Sequence, residues 1–225
     1  MWLDFLGVRR ARAALLQLLA PRQCVACEAA TRAEAFYCIE CGAPEPLLDV
    51  TRHIEGVPVF AGTRYGEPIA TVIQRFKYGR AAELAAPLAS LALRGIDLLG
   101  IEASHVWVPV PLHPLRLAER GYNQSALLAR ELSRSVHGSV DARRLVRLRN
   151  TSQQVKRQRR ERAQNVAEAF AVRTRRKHVP RSVVLVDDVV TTGSTLAACI
   201  RALQRAGDDV IGCLAVASVE RPESA

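Results

Sequence analysis

Two rhythms of apolar and polar positions alternate along this chain. Val183–Val186 form an unbroken apolar run, the pattern of a strand buried on both faces of a parallel sheet. Leu196, Ile200 and Leu203 then recur at helical spacing up to Gly207, so the segment predicts a strand, a loop and a helix. Earlier segments repeat this order. Residues 57–65 (VPVFAGTRY) predict strand material with a turn at Ala61-Gly62, and Glu67–Phe76 and Ala81–Arg94 predict two helices flanking Lys77-Tyr78-Gly79-Arg80. His105–Val110 predicts a short strand running into Pro111, and Gly121 precedes a helix in which Tyr122, Ala126 and Ala129 recur at i, i+4 and i+7. Strands followed by helices, repeated, predict an α/β fold built on a parallel sheet. The stretch Gly42-Ala-Pro44-Glu-Pro46 breaks any regular element and predicts a boundary, with an N-terminal module over 1–46 and a main domain over 47–225.

A length of 225 residues suits one full domain with an appendage. Apolar residues at 49%, charged residues at 24%, and only 13 Gly and 11 Pro exclude a low-complexity or wholly disordered chain. Met1–Ala20 has an apolar flavour, but Arg9, Arg10 and Arg12 interrupt it, so it predicts a helix of the mature protein and not a leader. No apolar run approaches the roughly 18 residues that span a bilayer, so a soluble, cytoplasmic protein without membrane insertion is expected. The formal charge is +10, and residues 143–181 alone carry 14 basic and 2 acidic side chains, a local +12. Charge concentrated in this way points to a polyanionic partner: phosphate, nucleotide or nucleic acid.

Six cysteines divide into two kinds. Cys24-Val-Ala-Cys27 and Cys38-Ile-Glu-Cys41 are two C-x-x-C knuckles, whose four thiolates can complete a closed tetrahedral sulfur set around one Zn²⁺. A closed set leaves no open coordination position, so the expected metal is structural and the module resembles a small zinc ribbon. Two disulfides, or an iron–sulfur cluster, are the alternatives for the same spacing. Cys199 and Cys213 sit in apolar patterns and read as small buried side chains.

The strongest chemical signal is Val183-Val-Leu-Val-Asp187-Asp188-Val-Val-Thr191-Thr192-Gly193-Ser194-Thr195-Leu196. Two adjacent carboxylates at the carboxyl end of a buried strand lie where open α/β sheets bind ligands. Thr191–Thr195 bring hydroxyls and backbone N–H groups to a helix N-terminus suited to a phosphate monoester, with Gly193 allowing close approach or positive φ. The carboxylates must then face neutral or positive groups, such as sugar hydroxyls or Mg²⁺.

This segment resembles the phosphoribosyl-pyrophosphate (PRPP) motif of type I phosphoribosyltransferases. The four-Cys module, RFKYG at 75–79, VPVPLHPLRLAERGYNQ at 108–124, Gln154 with ERAQNVAEAF at 161–170, and the acidic motif follow the order found in the ComF family, which includes the competence-associated ComF and the gluconate-associated GntX proteins. The resemblance covers nearly the whole chain; Tyr122 stands where Phe is common. It implies a type I phosphoribosyltransferase domain, a Rossmann-like parallel sheet, behind a zinc-ribbon-like module. It also implies that Asp187 and Asp188 hold the ribose as the catalytic pair, and that Thr191, Thr192, Gly193, Ser194 and Thr195 hold the 5′-phosphate of PRPP bound with Mg²⁺.

By the same resemblance, the loop after Val108–Pro111, with Arg116, Arg120, Asn123 and Gln124, faces pyrophosphate; a turn with a helix cap and solvated arginines is the alternative. Lys77 would neutralise a phosphate as a point charge, or else be a solvated helix-end lysine. The basic segment containing Arg157, Arg159 and Arg160 is polar on nearly every side and resembles by position the hood that closes over PRPP; it could equally track a single-stranded DNA backbone. Phe170 is its only aromatic residue, so base stacking within that segment would be weak, and Asn165, Glu168 and Phe170 would dock its end on the sheet. Five histidines show no metal-binding spacing, and His113 alone lies in a loop of interest. Two functions remain open. One is a PRPP-dependent transferase with an unspecified acceptor, associated with DNA uptake; the other is a non-catalytic single-stranded DNA-binding accessory protein that works with competence or recombination proteins.

Overall fold

A computed structural model of the chain describes residues 22–32, 35–148, 169–173 and 179–219. Strands β1 (Arg52–Ile54), β2 (Val57–Arg64), β3 (Val106–Pro109), β4 (Ser139–Val140), β7 (Ser182–Val190) and β8 (Asp209–Ser218) form one sheet in the order β1-β2-β8-β7-β3-β4. Only the β1–β2 pair is antiparallel. A separate antiparallel pair, β5 (Leu145–Arg147) and β6 (Phe170–Val172), lies outside that sheet.

Alternation along the strands sends successive side chains to opposite faces, and both faces are covered. On one face Phe60, Trp107, Val184, Val186 and Leu214 pack with helices α1 (Ile69–Tyr78), α2 (Ala85–Ala92) and α5 (Gln124–Arg134). On the other, Val59, Val108, Val183, Leu185 and Ala215 pack with α6 (Ser194–Arg205) and with Leu145 and Phe170 of the small pair. The helical stripe Leu196, Ile200, Leu203 is fully buried there, and α6 is followed by Gly207 at φ 86°. Cys199 and Cys213 lie in the same cluster, where burial pushes both thiols up, which keeps them protonated and inert.

Several elements differ from the sequence expectation. No turn occurs at Ala61-Gly62, because β2 runs unbroken beside β8. The glycine is needed for packing: a Cβ at Gly62 would collide with the Leu91 carbonyl of α2. The expected helix over 81–94 is divided into a 3₁₀ turn (Ala82–Leu84), α2, and α3 (Arg94–Leu98). A helix absent from the periodic reading, α4 (Pro114–Arg120), buries no residue and therefore leaves no apolar stripe. Its signals are at its ends: His113 caps it through Nδ1, which accepts the Leu115 N–H at 3.3 Å, Pro114 opens it, and Gly121 closes it at φ 82°. Tyr122 precedes α5 instead of lying on it. Among the described residues no helix is long and apolar enough to cross a membrane. The expected N-terminal helix over 1–20 lies outside the described residues.

Gly62→Ala is expected to destabilise the protein by about 1–3 kcal/mol, because backbone must move to admit the methyl. Gly66→Ala, where a Cβ would meet nothing within 4 Å, should be close to neutral in the same chemical denaturation series.

Candidate functional site

Strand β7 is central, and the helices that follow it and its neighbour β3 leave on opposite faces of the sheet: α5 joins the first cluster and α6 the second. Divergence of this kind opens a crevice at the carboxyl ends of the two strands. β3 stops pairing at Pro109, opposite Val186, while β7 continues through Asp187 and Asp188 alongside β8 as far as Val190. The two carboxylates thus sit where one neighbouring strand has ended.

Their surroundings differ. Asp187 is partly buried; its Oδ1 accepts the Ser125 hydroxyl at 3.1 Å and the Asp188 N–H at 2.9 Å. Asp188, only 8% exposed, accepts Lys77 Nζ at 2.9 Å. Desolvation, followed by the charge of Asp188, pushes Asp187 up to about 7, against the opposing pull of the Asp188 N–H, Lys77 and Ser125. Near neutral pH Asp187 therefore lies between its protonated and ionised forms and can both donate and accept hydrogen bonds.

The loop beyond β7 supplies the other half of the site. Gly193 takes φ 79° at the N-cap of α6 and brings no side chain to it, Thr192 Oγ1 accepts the Ser194 N–H at 3.3 Å, and Thr192 Oγ1 and Ser194 Oγ are 3.0 Å apart beside the first turn. Thr191, Thr192 and Ser194 are exposed, Thr195 is partly exposed, and Gly193 is buried against Ile54. Hydroxyls and first-turn N–H groups at a helix N-terminus can receive a phosphate monoester.

The remaining sequence-derived residues divide by what they touch. Lys77 reaches the acid pair itself. Asn123 spends both ends of its amide on the backbone: Oδ1 caps α5 by accepting the Ser125 N–H at 3.1 Å, and Nδ2 donates to the Val110 carbonyl at 3.0 Å. Gln124 is buried, with Oε1 accepting from Arg120 at 3.0 Å and Nε2 without a partner among the described residues. Arg120 also lies 5.0 Å from the Tyr78 ring centroid, with an Nη atom 3.4 Å from its hydroxyl. Arg116 is partly exposed on α4, and Arg157 lies outside the described residues, as do Gln154, Arg159, Arg160, Asn165 and Glu168.

Sequence reasoning missed five positions. Ser125 contacts Asp187 across 62 residues. Arg52 of β1 donates to the carbonyls of Val190 and Thr191 and to Ser218 Oγ, fixing the backbone of the loop after β7 from the far strand. Arg147 of β5 lies over Phe170, and its guanidinium is lowered by burial and by Arg116 while Asp187 pulls the other way, which places it in the field of the acid pair. Arg144 and Asp208 form a buried ion pair that ties the start of β5 to the start of β8. None of these has a local sequence signal; each depends on which strands become neighbours. Phe170, expected to dock the basic segment, is buried in the second cluster.

The four cysteines of the N-terminal module converge, with every Sγ within 4.8 Å of the others. Cys27 and Cys38 sulfurs are 3.6 Å apart, far beyond a disulfide bond and close to the roughly 3.8 Å edge of a tetrahedron with 2.3 Å metal–sulfur bonds. Backbone N–H groups of Cys38 and Cys41 point at Cys24 and Cys38 sulfurs, at 3.3 and 3.4 Å. Burial opposes the Cys24 thiolate, yet N–H groups of Cys27, Cys38 and Ala26 outweigh it and draw the thiol down to about 6, whereas the neighbouring sulfurs of Cys27 and Cys38 push Cys41 up. Four sulfurs gathered in this way can hold a metal ion, and the donor set is compatible with structural zinc. Arg75 of α1 holds the first knuckle, donating to the Val25 carbonyl at 2.8 Å and to Glu28 at 2.6 Å.

A carboxyl raised on folding holds its proton more tightly folded than unfolded, so the cost of folding it is absent below about pH 4, grows between about pH 4 and 7, and is fully present above that. Asp187→Asn, which keeps an acceptor for Ser125, should therefore raise the melting temperature at pH 8 by about 2–4 °C per kcal/mol recovered, and should give no gain at pH 4. Cys24→Ser should release metal and lower the melting temperature in a way that added Zn²⁺ does not reverse, read by metal analysis beside thermal melts.

Comparison with known proteins agrees with this geometry. The family model described as phosphoribosyl transferase domain matches residues 122–225. DNA utilization protein YhgH of Escherichia coli is 34% identical, covering 82% of this chain and 85% of its own length. Competence protein F of Haemophilus influenzae is 33% identical over 84% of this chain and 81% of its own. Competence protein ComFC of Bacillus subtilis is 31% identical over 64% and 56%.

Proposed function

Because the chain belongs to the ComF family, with competence protein F and DNA utilization protein YhgH, we propose that its acid pair and phosphate loop bind PRPP together with Mg²⁺ and that it transfers the phosphoribosyl group in a process linked to DNA uptake. The observation that carries this reading is the position of Asp187, Asp188 and the α6 N-terminus on one crevice, at the point where the sheet's connections diverge.

In this reading Thr191–Thr195 receive the 5′-phosphate, and the two carboxylates accept hydrogen bonds from the ribose hydroxyls. Mg²⁺ arriving with the diphosphate supplies charge neutralisation for the leaving group. Lys77 pairs with Asp188, Ser125 orients Asp187, and Arg52 holds the loop backbone so that its N–H groups are fixed before ligand arrives. Arg116 and Arg147 bring positive charge toward the departing pyrophosphate. As the C1–O bond to pyrophosphate breaks, its electron pair leaves with the diphosphate and the acceptor's lone pair forms the new bond. Catalysis then rests on positioning and electrostatics, since no side chain needs to bond to the sugar.

A second reading, salt-dependent binding of single-stranded DNA by a non-catalytic accessory protein, is supported by the local +12 of residues 143–181 and by the β5–β6 stem within that segment, which packs Leu145 and Phe170 into the second core cluster.

Calorimetric titration of the zinc-loaded protein with PRPP and Mg²⁺ should show an affinity on the order of micromolar, lost by at least tenfold in Asp187→Asn/Asp188→Asn. Unchanged affinity in the double variant would remove the ribose assignment. DNA binding that weakens steeply with salt and survives the double variant, in a protein silent to PRPP, would establish the accessory role instead.

A further inference from the structure

We propose that the short edge strand β1 shapes the anion seat of the loop after β7: Arg52 and Ile54 are positioning residues that turn successive backbone N–H groups of that loop toward a ligand phosphate. The inference rests on the phosphate-loop part of the PRPP reading and adds to it the residues that decide the shape of the loop.

β1 is three residues long, and its pairing with β2 is set by a two-residue turn, Glu55-Gly56, in which both residues take positive φ, 51° and 76°. Alternation along the strand puts Arg52 and Ile54 on one face and His53 on the other. The shared face is the one turned to the loop. Ile54 lies against Gly193, where an added Cβ would sit 2.6 Å from Ile54 Cδ1, and Arg52 reaches the loop backbone. Next to Ile54, Glu55 pairs with Arg201 of α6 at 2.6 Å, so one hairpin touches both the loop and the helix that follows it.

Arg52 meets two consecutive carbonyls. Its Nη1 donates to the Thr191 carbonyl at 3.0 Å and its Nη2 to the Val190 carbonyl at 3.3 Å, while Nη2 also lies 2.6 Å from Ser218 Oγ at the end of β8. In a regular strand successive carbonyls point to opposite edges, so two drawn to one guanidinium mark the place where the chain leaves β7. Each peptide is planar and trans, and its N–H lies opposite its carbonyl. The N–H groups of Thr191 and Thr192 are therefore turned away from β1. Successive N–H groups turned the same way form a concavity suited to an anion.

The residue types match this task. A guanidinium is a planar fork that can serve two carbonyls and a hydroxyl at once, whereas a lysine offers its donors from a single nitrogen. Its charge sits behind the loop and favours an anion in front without touching it. Ile54 supplies the second constraint, because it backs Gly193, whose φ of 79° leads the chain into α6. Acting through backbone, neither side chain has to reach the ligand. Fixed N–H donors of this kind select a compact phosphate over an uncharged sugar.

The test titrates wild type, Arg52→Gln, Arg52→Lys, Ile54→Ala and Arg201→Ala, as zinc-loaded full chains, with inorganic phosphate, ribose 5-phosphate and PRPP with Mg²⁺. Amide resonances of Thr191 and Thr192 are followed in parallel. In wild type inorganic phosphate should shift both amides, and in Arg52→Gln those shifts should vanish with a loss of about tenfold or more in affinity for every phosphate probe. Arg52→Lys keeps the charge but not the fork and should follow Arg52→Gln; Ile54→Ala should lose less, in the same direction. Arg201→Ala loosens the hairpin without touching the loop and should bind as wild type does. Thermal melts and zinc content identify any variant that fails to fold, and if Arg52→Gln is one, Arg52→Lys and Ile54→Ala carry the same readout. Wild type that takes inorganic phosphate at both amides but is silent to PRPP would refute the PRPP reading and support this one. No shift of these amides with phosphate in wild type, wild-type affinity in folded Arg52→Gln or Arg52→Lys, or an equal loss in Arg201→Ala would each overturn the proposal.

Discussion

Consecutive carboxylates on β7, directly after four fully buried residues, impose an electrostatic cost that several distant elements help to offset. Burial and like charge both favour protonation of Asp187. Against this stand one lysine, one hydroxyl and one peptide N–H, brought by α1, α5 and β7 itself. The balance leaves Asp187 close to neutrality, so that a ligand hydroxyl or cation can complete the pair. A site kept incomplete in this way is less stable alone than it would be with an amide in place of the acid.

Helix α1 links that site to the metal module. Four consecutive residues do this because each helical step turns the side chain by about 100° and sends it to a different neighbour. Arg75 holds the first cysteine knuckle, Phe76 fills the core and accepts the Tyr122 hydroxyl on its carbonyl at 2.6 Å, Lys77 holds Asp188, and Tyr78 meets Arg120. The cysteine module also packs Val25, Ala26 and Tyr37 against the first core cluster. The cysteine cluster, which could hold a metal ion, is coupled to the acid pair through this one helix.

The β5–β6 stem is anchored differently. It shares no hydrogen-bonded strand with the main sheet and depends on Leu145 and Phe170 in the second cluster and on the buried Arg144–Asp208 pair. Asp208 also accepts the Arg181 N–H at 3.1 Å, so one carboxylate holds both the stem and the entry to β7. A buried ion pair is a costly fastener compared with apolar packing, but it fixes one register and one orientation.

Features with a local physical cause were legible in the sequence. The apolar run of β7 declares burial on both faces, C-x-x-C spacing declares a thiolate pair, and Asp-Asp followed by Thr-Thr-Gly-Ser-Thr declares a strand end and a helix start. The α4 helix had local signals too, His113, Pro114 and Gly121, but no buried stripe to draw attention to them. What the tertiary structure decided is which distant residues meet those features: Ser125 and Lys77 on the acids, Arg52 on the loop, Asp208 under Arg144, and Asn123 between the cap of α5 and the Val110 carbonyl. Gly62 makes the same point, since what looked like a turn glycine is required by a helix that crosses nearby. Secondary structure and motif chemistry are written in short-range spacing, whereas a contact between residues 62 positions apart exists only after the strands have chosen their order.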